Sequence, residues 1–358
     1  MTITYQEKQE IKKAVDAHID RYGSANKAAH SLKHISPGTL HQIKHEIWDQ
    51  VSDAMFRNVG SQLGISAKNW HIVHTANFRR INNLLKDAQQ DSKVFGMIGP
   101  AGSGKTKALE NYAYGHKQVY YILCNEYMDR KTFLLEIMRI LGRKGNGMSI
   151  SRLMDDMVHQ LKTKERPLLV FDEADKLPDH VLIFFITLYN NLEDHCGIVL
   201  AATEHLEKRI ERGIRLNKKG YEEIYSRLGK KYIEIAQPGV QDITDICVHN
   251  GITSQEHISL IVKDSEFDLR RVNRKAYAIK KQMQKNAEIV DQAWNLLNEA
   301  LHTRKPLKAQ DAMDMVNEPS FSWVGLEDRF NKWSKLLTTY NKENAPKEQE
   351  EEETVNAQ

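Results

Sequence analysis

The segment Gly99-Pro100-Ala101-Gly102-Ser103-Gly104-Lys105-Thr106 constrains this chain more than any other: it is a complete GxxxxGK[ST] pattern. An apolar, strand-like run, Val94 to Gly99, leads into it, and a helical pattern starts near Thr106. A glycine-rich turn in that context lets backbone N–H groups approach phosphates closely, and the following helix N-terminus adds partial positive charge. In such a turn the lysine ammonium sits on the β- and γ-phosphates and the hydroxyl of the last residue on magnesium. Gly99, Pro100, Ala101, Gly102, Ser103, Gly104, Lys105 and Thr106 are therefore candidate nucleotide-binding residues, with Thr106 also a candidate metal ligand.

A second acidic signal follows. Leu168-Leu169-Val170-Phe171 reads as a buried strand and ends in Asp172-Glu173. Open α/β sheets bind ligands at the carboxyl ends of their strands. Asp172 is placed to hold Mg2+ through water, and Glu173 to orient or polarise an attacking water. The adjacent acidic pair suits ATP hydrolysis, and the chain has no guanine-specifying NKxD motif, so ATP is expected rather than GTP. Downstream, Ile198 to Ala202 reads as another buried strand, and the hydroxyl of Thr203 at its end is within reach of a γ-phosphate or its nucleophile.

Short apolar runs at Val94 to Gly99, Val119 to Cys124, Leu168 to Phe171, Ile198 to Ala202 and Tyr232 to Ile235 alternate with helical patterns, which predicts an α/β fold with a covered parallel sheet. With 41% hydrophobic and 28% charged residues, the chain is expected to be a globular protein with a substantial core. Its longest strongly apolar run, Val181 to Tyr189, is far too short for a membrane span, and Met1 to Glu10 lacks the apolar core of a secretory signal. A cytoplasmic location with no membrane partner is expected. Cys124, Cys196 and Cys247 lie far apart, without the spacing of a disulfide framework or a zinc site. The expected organisation is an N-terminal helical domain over 1–75, an ATPase α/β subdomain over 76–237, a lid of short helices over 238–283, a helical extension over 284–341 containing Trp294, Trp323, Phe330 and Trp333, and a disordered acidic tail over 342–358.

Net charge is only +3, yet without the glutamates at Glu348 and Glu350 to Glu353 it rises to +8, so the remainder is distinctly basic. Ser24 to Lys44 has the cadence of a helix-turn-helix. Ser24 is the N-cap, Ala28, Ala29 and Leu32 form an inner face, a turn falls at His34 to Ser36, and Pro37 opens a second helix that buries Leu40 and Ile43. Thr39, His41, Gln42 and Lys44 on its outer side are the residue types that reach base edges or phosphates in a major groove. A second basic cluster runs from Lys208 to Lys231, where Gly213 and Gly220 suggest loops. Arg212, Arg215, Lys218 and Lys219 are its candidate DNA contacts.

Taken together, the P-loop, the Asp-Glu pair, the polar residue ending the next strand and the helical stretch after Pro238 resemble an AAA+ ATPase. That resemblance makes Thr203 the sensor-1 residue. It likens Asp268-Leu269-Arg270-Arg271 to the sensor-2 motif, with Arg270 as the nucleotide contact and Arg271 as the alternative, although Phe267 stands where the motif normally has Gly. Tyr221-Glu222-Glu223-Ile224-Tyr225-Ser226-Arg227 is similar to the segment carrying a trans-acting arginine finger. Arg227 is the candidate, with Arg209, Arg212 and Arg215 as competitors, and a finger in trans implies a homo-oligomer, a ring or a helical filament.

Over roughly 20–282 the order of these features, with Asp172-Glu173-Ala174-Asp175-Lys176-Leu177, Leu188-Tyr189-Asn190-Asn191-Leu192-Glu193 and Gly220 to Arg227, resembles the bacteriophage Mu transposition protein B family. The resemblance implies an ATPase that assembles on double-stranded DNA when ATP is bound and presents target DNA to a DDE transposase. A replication initiator or helicase loader built on the same core is the alternative, and a signalling NTPase a third.

Overall fold

Alternation of side chains along five short strands sets the centre of the fold. The computed structural model describes residues 3–65, 70–303 and 306–344. Its strands are β1 (Val94–Ile98), β2 (Val119–Leu123), β3 (Leu168–Asp172), β4 (Gly197–Ala202) and β5 (Tyr232–Glu234). They form one parallel sheet in the order β2-β3-β4-β1-β5. The central strands β3 and β4 are buried along their whole length, which is why they read as continuous apolar runs. Successive residues serve opposite cores. Leu169, Phe171, Ile198 and Leu200 face one side with the larger set of helices, while Leu168, Val170, Val199 and Ala201 face the other.

Helices α5 (Ala76–Gln90) and α6 (Lys105–Gly115) cover the second face. The first face is covered by α7 (Arg130–Ile140), α8 (Ile150–Lys162), α9 (Asp179–Leu192), α10 (His205–Arg215) and α11 (Tyr221–Arg227). Ahead of the sheet, α1 (Tyr5–Tyr22), α2 (Ala25–Ser31), α3 (Pro37–Lys44) and α4 (Asp53–Gln62) enclose a core of their own around Val15, Leu40, Ile43, Phe56 and Val59. The Ser24 hydroxyl caps α2, and Pro37 opens α3 behind a Ser36 cap. Between these two helices, Gln62 of α4 clamps the turn. The Lys33 N–H donates to Gln62 Oε1 at 2.7 Å, and Gln62 Nε2 donates to the Lys33 carbonyl at 2.8 Å.

The N-terminal helices do not separate from the sheet at residue 75. One compact unit takes in Met1–Ile246 together with Phe267–Leu269. The Arg21 guanidinium donates to the carbonyls of Ala113, near the end of α6, and Val119, at the start of β2. Tyr22 Oη donates to the Ile140 carbonyl at 2.7 Å, and Arg139 of α7 donates to the Ser31 carbonyl. The helix that begins at the P-loop is thus held at its far end by the N-terminal domain.

His18 ties α1 to α2 by sharing Nε2 with Ser31 Oγ at 2.8 Å and the Ala28 carbonyl at 3.3 Å. Burial, assisted by nearby Arg21, lowers its pKa from 6.5 to about 4. The unfolded chain takes up this proton below about 6.5 and the folded domain only near 4, so stability falls as pH drops through that window, by about 3 kcal/mol in all. His18→Gln is expected to flatten this acid limb in hydrogen-exchange protection of α1 and α2. An unchanged acid limb would contradict the assignment.

The second unit comprises Cys247–Glu266 and Arg270–Gln358. After α12 (Val240–His249), it contains α13 (Gln255–Ser265), nearly all of α14 (Leu269–Thr303), α15 (Pro306–Asn317) and α16 (Glu327–Glu343). Ala293, Leu297 and Ala300 pack on Ala309, Ala312 and Val316 of α15 and on Trp333, which is buried, whereas Trp294 is partly exposed. The expected boundary between 283 and 284 falls inside α14. No Gly or Pro interrupts 269–303, so nothing in the chain stops the helix there. The expected tail likewise begins inside α16, and its remainder, 345–358, lies outside the described residues. Among the described residues no helix is long and apolar enough to cross a membrane.

Candidate functional site

The P-loop leaves the carboxyl end of β1 and turns into α6 through two left-handed glycines, Gly102 at φ +76° and Gly104 at φ +91°. At Gly102 the need for glycine is also steric, because a Cβ there would lie 2.3 Å from the Asp268 carboxylate carbon. The neighbouring Leu269 N–H donates to the Gly102 carbonyl at 3.0 Å. Lys105 is buried, and its Nζ donates to the carbonyls of Gly99 at 2.7 Å and Pro100 at 2.8 Å. Asn77 of α5, which sequence reading missed, pins the loop from beneath. Its Nδ2 donates to the Ser103 carbonyl at 3.3 Å and to the Ala236 carbonyl at 2.8 Å.

At the end of β3, Asp172 is 1% exposed. Its carboxylate accepts from Tyr121 Oη at 3.0 Å and from the Glu173 N–H at 2.9 Å, and it also bonds the Thr106 side chain. Burial nevertheless raises its pKa, the hydrogen bonds from Thr106 and Tyr121 opposing the rise. A carboxylate beside a hydroxyl is the hard-oxygen donor set that suits Mg2+. The residues present therefore fit that ion.

Glu173 has a left-handed backbone at φ +55° and opens the 3₁₀ turn Ala174–Lys176. Lys176 Nζ lies 2.6 Å from its Oε2. The Thr203 hydroxyl, beyond the end of β4, donates to Asp175 Oδ2 at 2.7 Å. Arg209 of α10 donates to the carbonyls of Asp175 at 3.1 Å and Leu177 at 2.7 Å, and pairs with Asp179. Arg209 is thereby engaged within its own chain.

Since β4 lies between β1 and β3 in a parallel sheet, the P-loop, Asp172-Glu173 and Thr203 emerge from one edge of three neighbouring strands. Arg227 does not join them. It ends α11 just before β5 begins, at the opposite edge, where Nε donates to Asn190 Oδ1 at 3.0 Å and the guanidinium lies 5.4 Å from the Tyr189 ring centroid. Arg270 opens the part of α14 that belongs to the second unit, and Arg271 pairs with Glu266 at 2.8 Å.

The basic segment 208–231 is built mainly from α10 and α11, with only a short turn between them, and is not the loop that its glycines suggested. Gly213 is buried inside α10 beneath the Tyr221 ring, where a Cβ would come within 2.3 Å of ring carbons. It is a close-packing glycine. Arg212, Arg215, Lys218 and Lys219 are exposed. On α3, His41 is exposed and lies against His45 at a 45° tilt with centroids 4.3 Å apart, while Lys44 is half-buried. Thr39 and Gln42 are also half-buried. Thr39 Oγ1 bonds Ser36 Oγ at 2.9 Å, and Gln42 Nε2 donates to Gln50 Oε1 at 2.8 Å.

Residues 88–210 match the family model for an AAA domain. The chain is 30% identical over 165 residues to the Mu-like prophage FluMu DNA transposition protein B of Haemophilus influenzae. Residues 88–210 thus form an AAA-type P-loop domain, and the chain resembles that Mu-like transposition protein. The match covers 44% of this chain and 54% of that relative, so the chain spans about half the length of the curated protein it matches. Among solved structures, the Aeropyrum pernix Orc1 protein in complex with DNA aligns at 15% identity and a TM-score of 0.41, covering 74% of this chain and 82% of that one. A likeness that loose fixes neither fold nor function here.

Proposed function

We propose that this chain is an ATP hydrolase that grips duplex DNA without strong sequence preference when ATP is bound, and that it delivers target DNA to a DDE transposase. The observation that carries the reading is the buried Asp172 carboxylate bonded to Thr106 at the mouth of the P-loop, with Glu173 next to it. The similarity to a DNA transposition protein B supports the transposition setting, in the cytoplasm.

In this reading Lys105 turns its ammonium from the loop carbonyls onto the β- and γ-phosphates. Thr106 and Asp172 would hold Mg2+, which when bound neutralises phosphate charge. Glu173 accepts a proton as water attacks the γ-phosphorus. The bond to the β,γ-bridging oxygen breaks, ADP leaves with that electron pair, and inorganic phosphate is released. Thr203 orients the turn that carries Glu173 through Asp175, and acts as sensor from there. Arg227, just before β5 at the sheet edge opposite the P-loop, is the residue proposed to serve a neighbour's nucleotide in a head-to-tail assembly. Arg270 keeps its candidacy as a nucleotide contact from the likeness of Asp268-Leu269-Arg270-Arg271 to the sensor-2 motif.

Exposed Arg212, Arg215, Lys218 and Lys219, with His41 and Lys44 of α3 and smaller contributions from Thr39 and Gln42, are the surfaces proposed for DNA phosphates and groove edges. Four phosphate contacts per subunit would give a salt slope of about −3 to −4 in log affinity against log salt. Duplex DNA should therefore stimulate ATP turnover, with the stimulation lost steeply as salt rises. Turnover indifferent to DNA at low salt would contradict the reading. Stimulation by DNA together with binding to a replicative helicase, and not to a transposase, would shift it to the loader class.

A further inference from the structure

We propose that Lys176 is a positioning residue that holds the Glu173 carboxylate in a resting pose and thereby limits turnover; the inference rests on Glu173 being the base. Glu173, whose own backbone is left-handed, caps the 3₁₀ turn Ala174–Lys176 and Lys176 ends it, and Lys176 Nζ lies 2.6 Å from Glu173 Oε2.

That backbone is fixed from outside. Thr203 Oγ1 holds the Asp175 side chain, and Arg209 holds the carbonyls of Asp175 and Leu177. With the turn anchored, freedom remains mainly in the two side chains, which are partly exposed at 30% for Glu173 and 45% for Lys176. While Lys176 holds Oε2, the carboxylate is oriented by that ion pair and not by an attacking water. The rate of hydrolysis then depends on the fraction of time Glu173 spends away from Lys176, while nucleotide affinity, set by the P-loop, does not.

A partly exposed ion pair of this kind is worth little, so the expected gain is modest: Lys176→Met should raise kcat for ATP in the full chain with Mg2+ by roughly two- to fivefold at unchanged KM. Lys176→Arg, which keeps the charge, should stay near wild type. A kcat for Lys176→Met at or below wild type, with Glu173→Gln inactive, would overturn the restraint and leave Glu173 as the base. Wild-type turnover in Glu173→Gln would instead remove the base, and with it the reason for the restraint. A Lys176→Met variant whose KM rises as kcat falls would mark the lysine as a structural part of the turn, which also overturns the proposal.

Discussion

Glu173→Gln is expected to bind ATP with undiminished affinity and to hydrolyse it roughly 10²- to 10⁴-fold more slowly, the range lost when a positioned base is removed. Glutamine keeps the size of the side chain and leaves the turn anchored by Thr203 and Arg209. The capacity to accept a proton is removed, together with the charge that pairs with Lys176. The variant should therefore accumulate in the ATP-bound state and form long-lived DNA complexes. Phosphate release and fluorescent-nucleotide titration check the two halves separately. Wild-type turnover would strike Glu173 from the mechanism.

A change at Lys105 acts earlier. Lys105→Ala removes the ammonium destined for the phosphates and the hydrogen bond it gives the Gly99 carbonyl, while the Pro100 carbonyl keeps the Ser103 hydroxyl as donor. Nucleotide affinity should fall roughly 10- to 100-fold, as for the loss of a hydrogen bond to a charged group, and turnover roughly 10²- to 10³-fold. DNA binding should then be the same with and without ATP. Mixing Lys105→Ala subunits with Arg227→Ala subunits should restore part of the activity, because a sound P-loop in one then meets a sound arginine from the other. No rescue at any ratio would assign the trans role to a different arginine.

The five strands were legible because each is a short apolar run bounded by polar residues, and the two central ones are buried on both faces. The P-loop and the Asp172-Glu173 pair were legible for a related reason, since their chemistry demands particular residue types at particular offsets from a strand end. Contacts between distant segments were not. Gly213 looks like a loop marker in sequence and is a packing position, because the Tyr221 ring that covers it arrives from another helix. Nothing in the sequence ties Arg209 to Asp179 and two carbonyls; the fold brings them together. The 35-residue α14 runs straight through the expected border between lid and extension, where no breaker residue stands. Gln42 reads as a groove contact in sequence, yet Gln50 engages its amide in the folded domain.

The claim at the centre is that the state of the bound triphosphate decides whether neighbouring subunits close on a duplex. Sedimentation of the full chain with labelled duplex DNA, with and without a non-hydrolysable ATP analogue, addresses it most directly. Large protein–DNA assemblies that appear only with the analogue and dissolve as salt rises are the expected result. A species that stays monomeric and ignores the duplex when saturated with the analogue would contradict it.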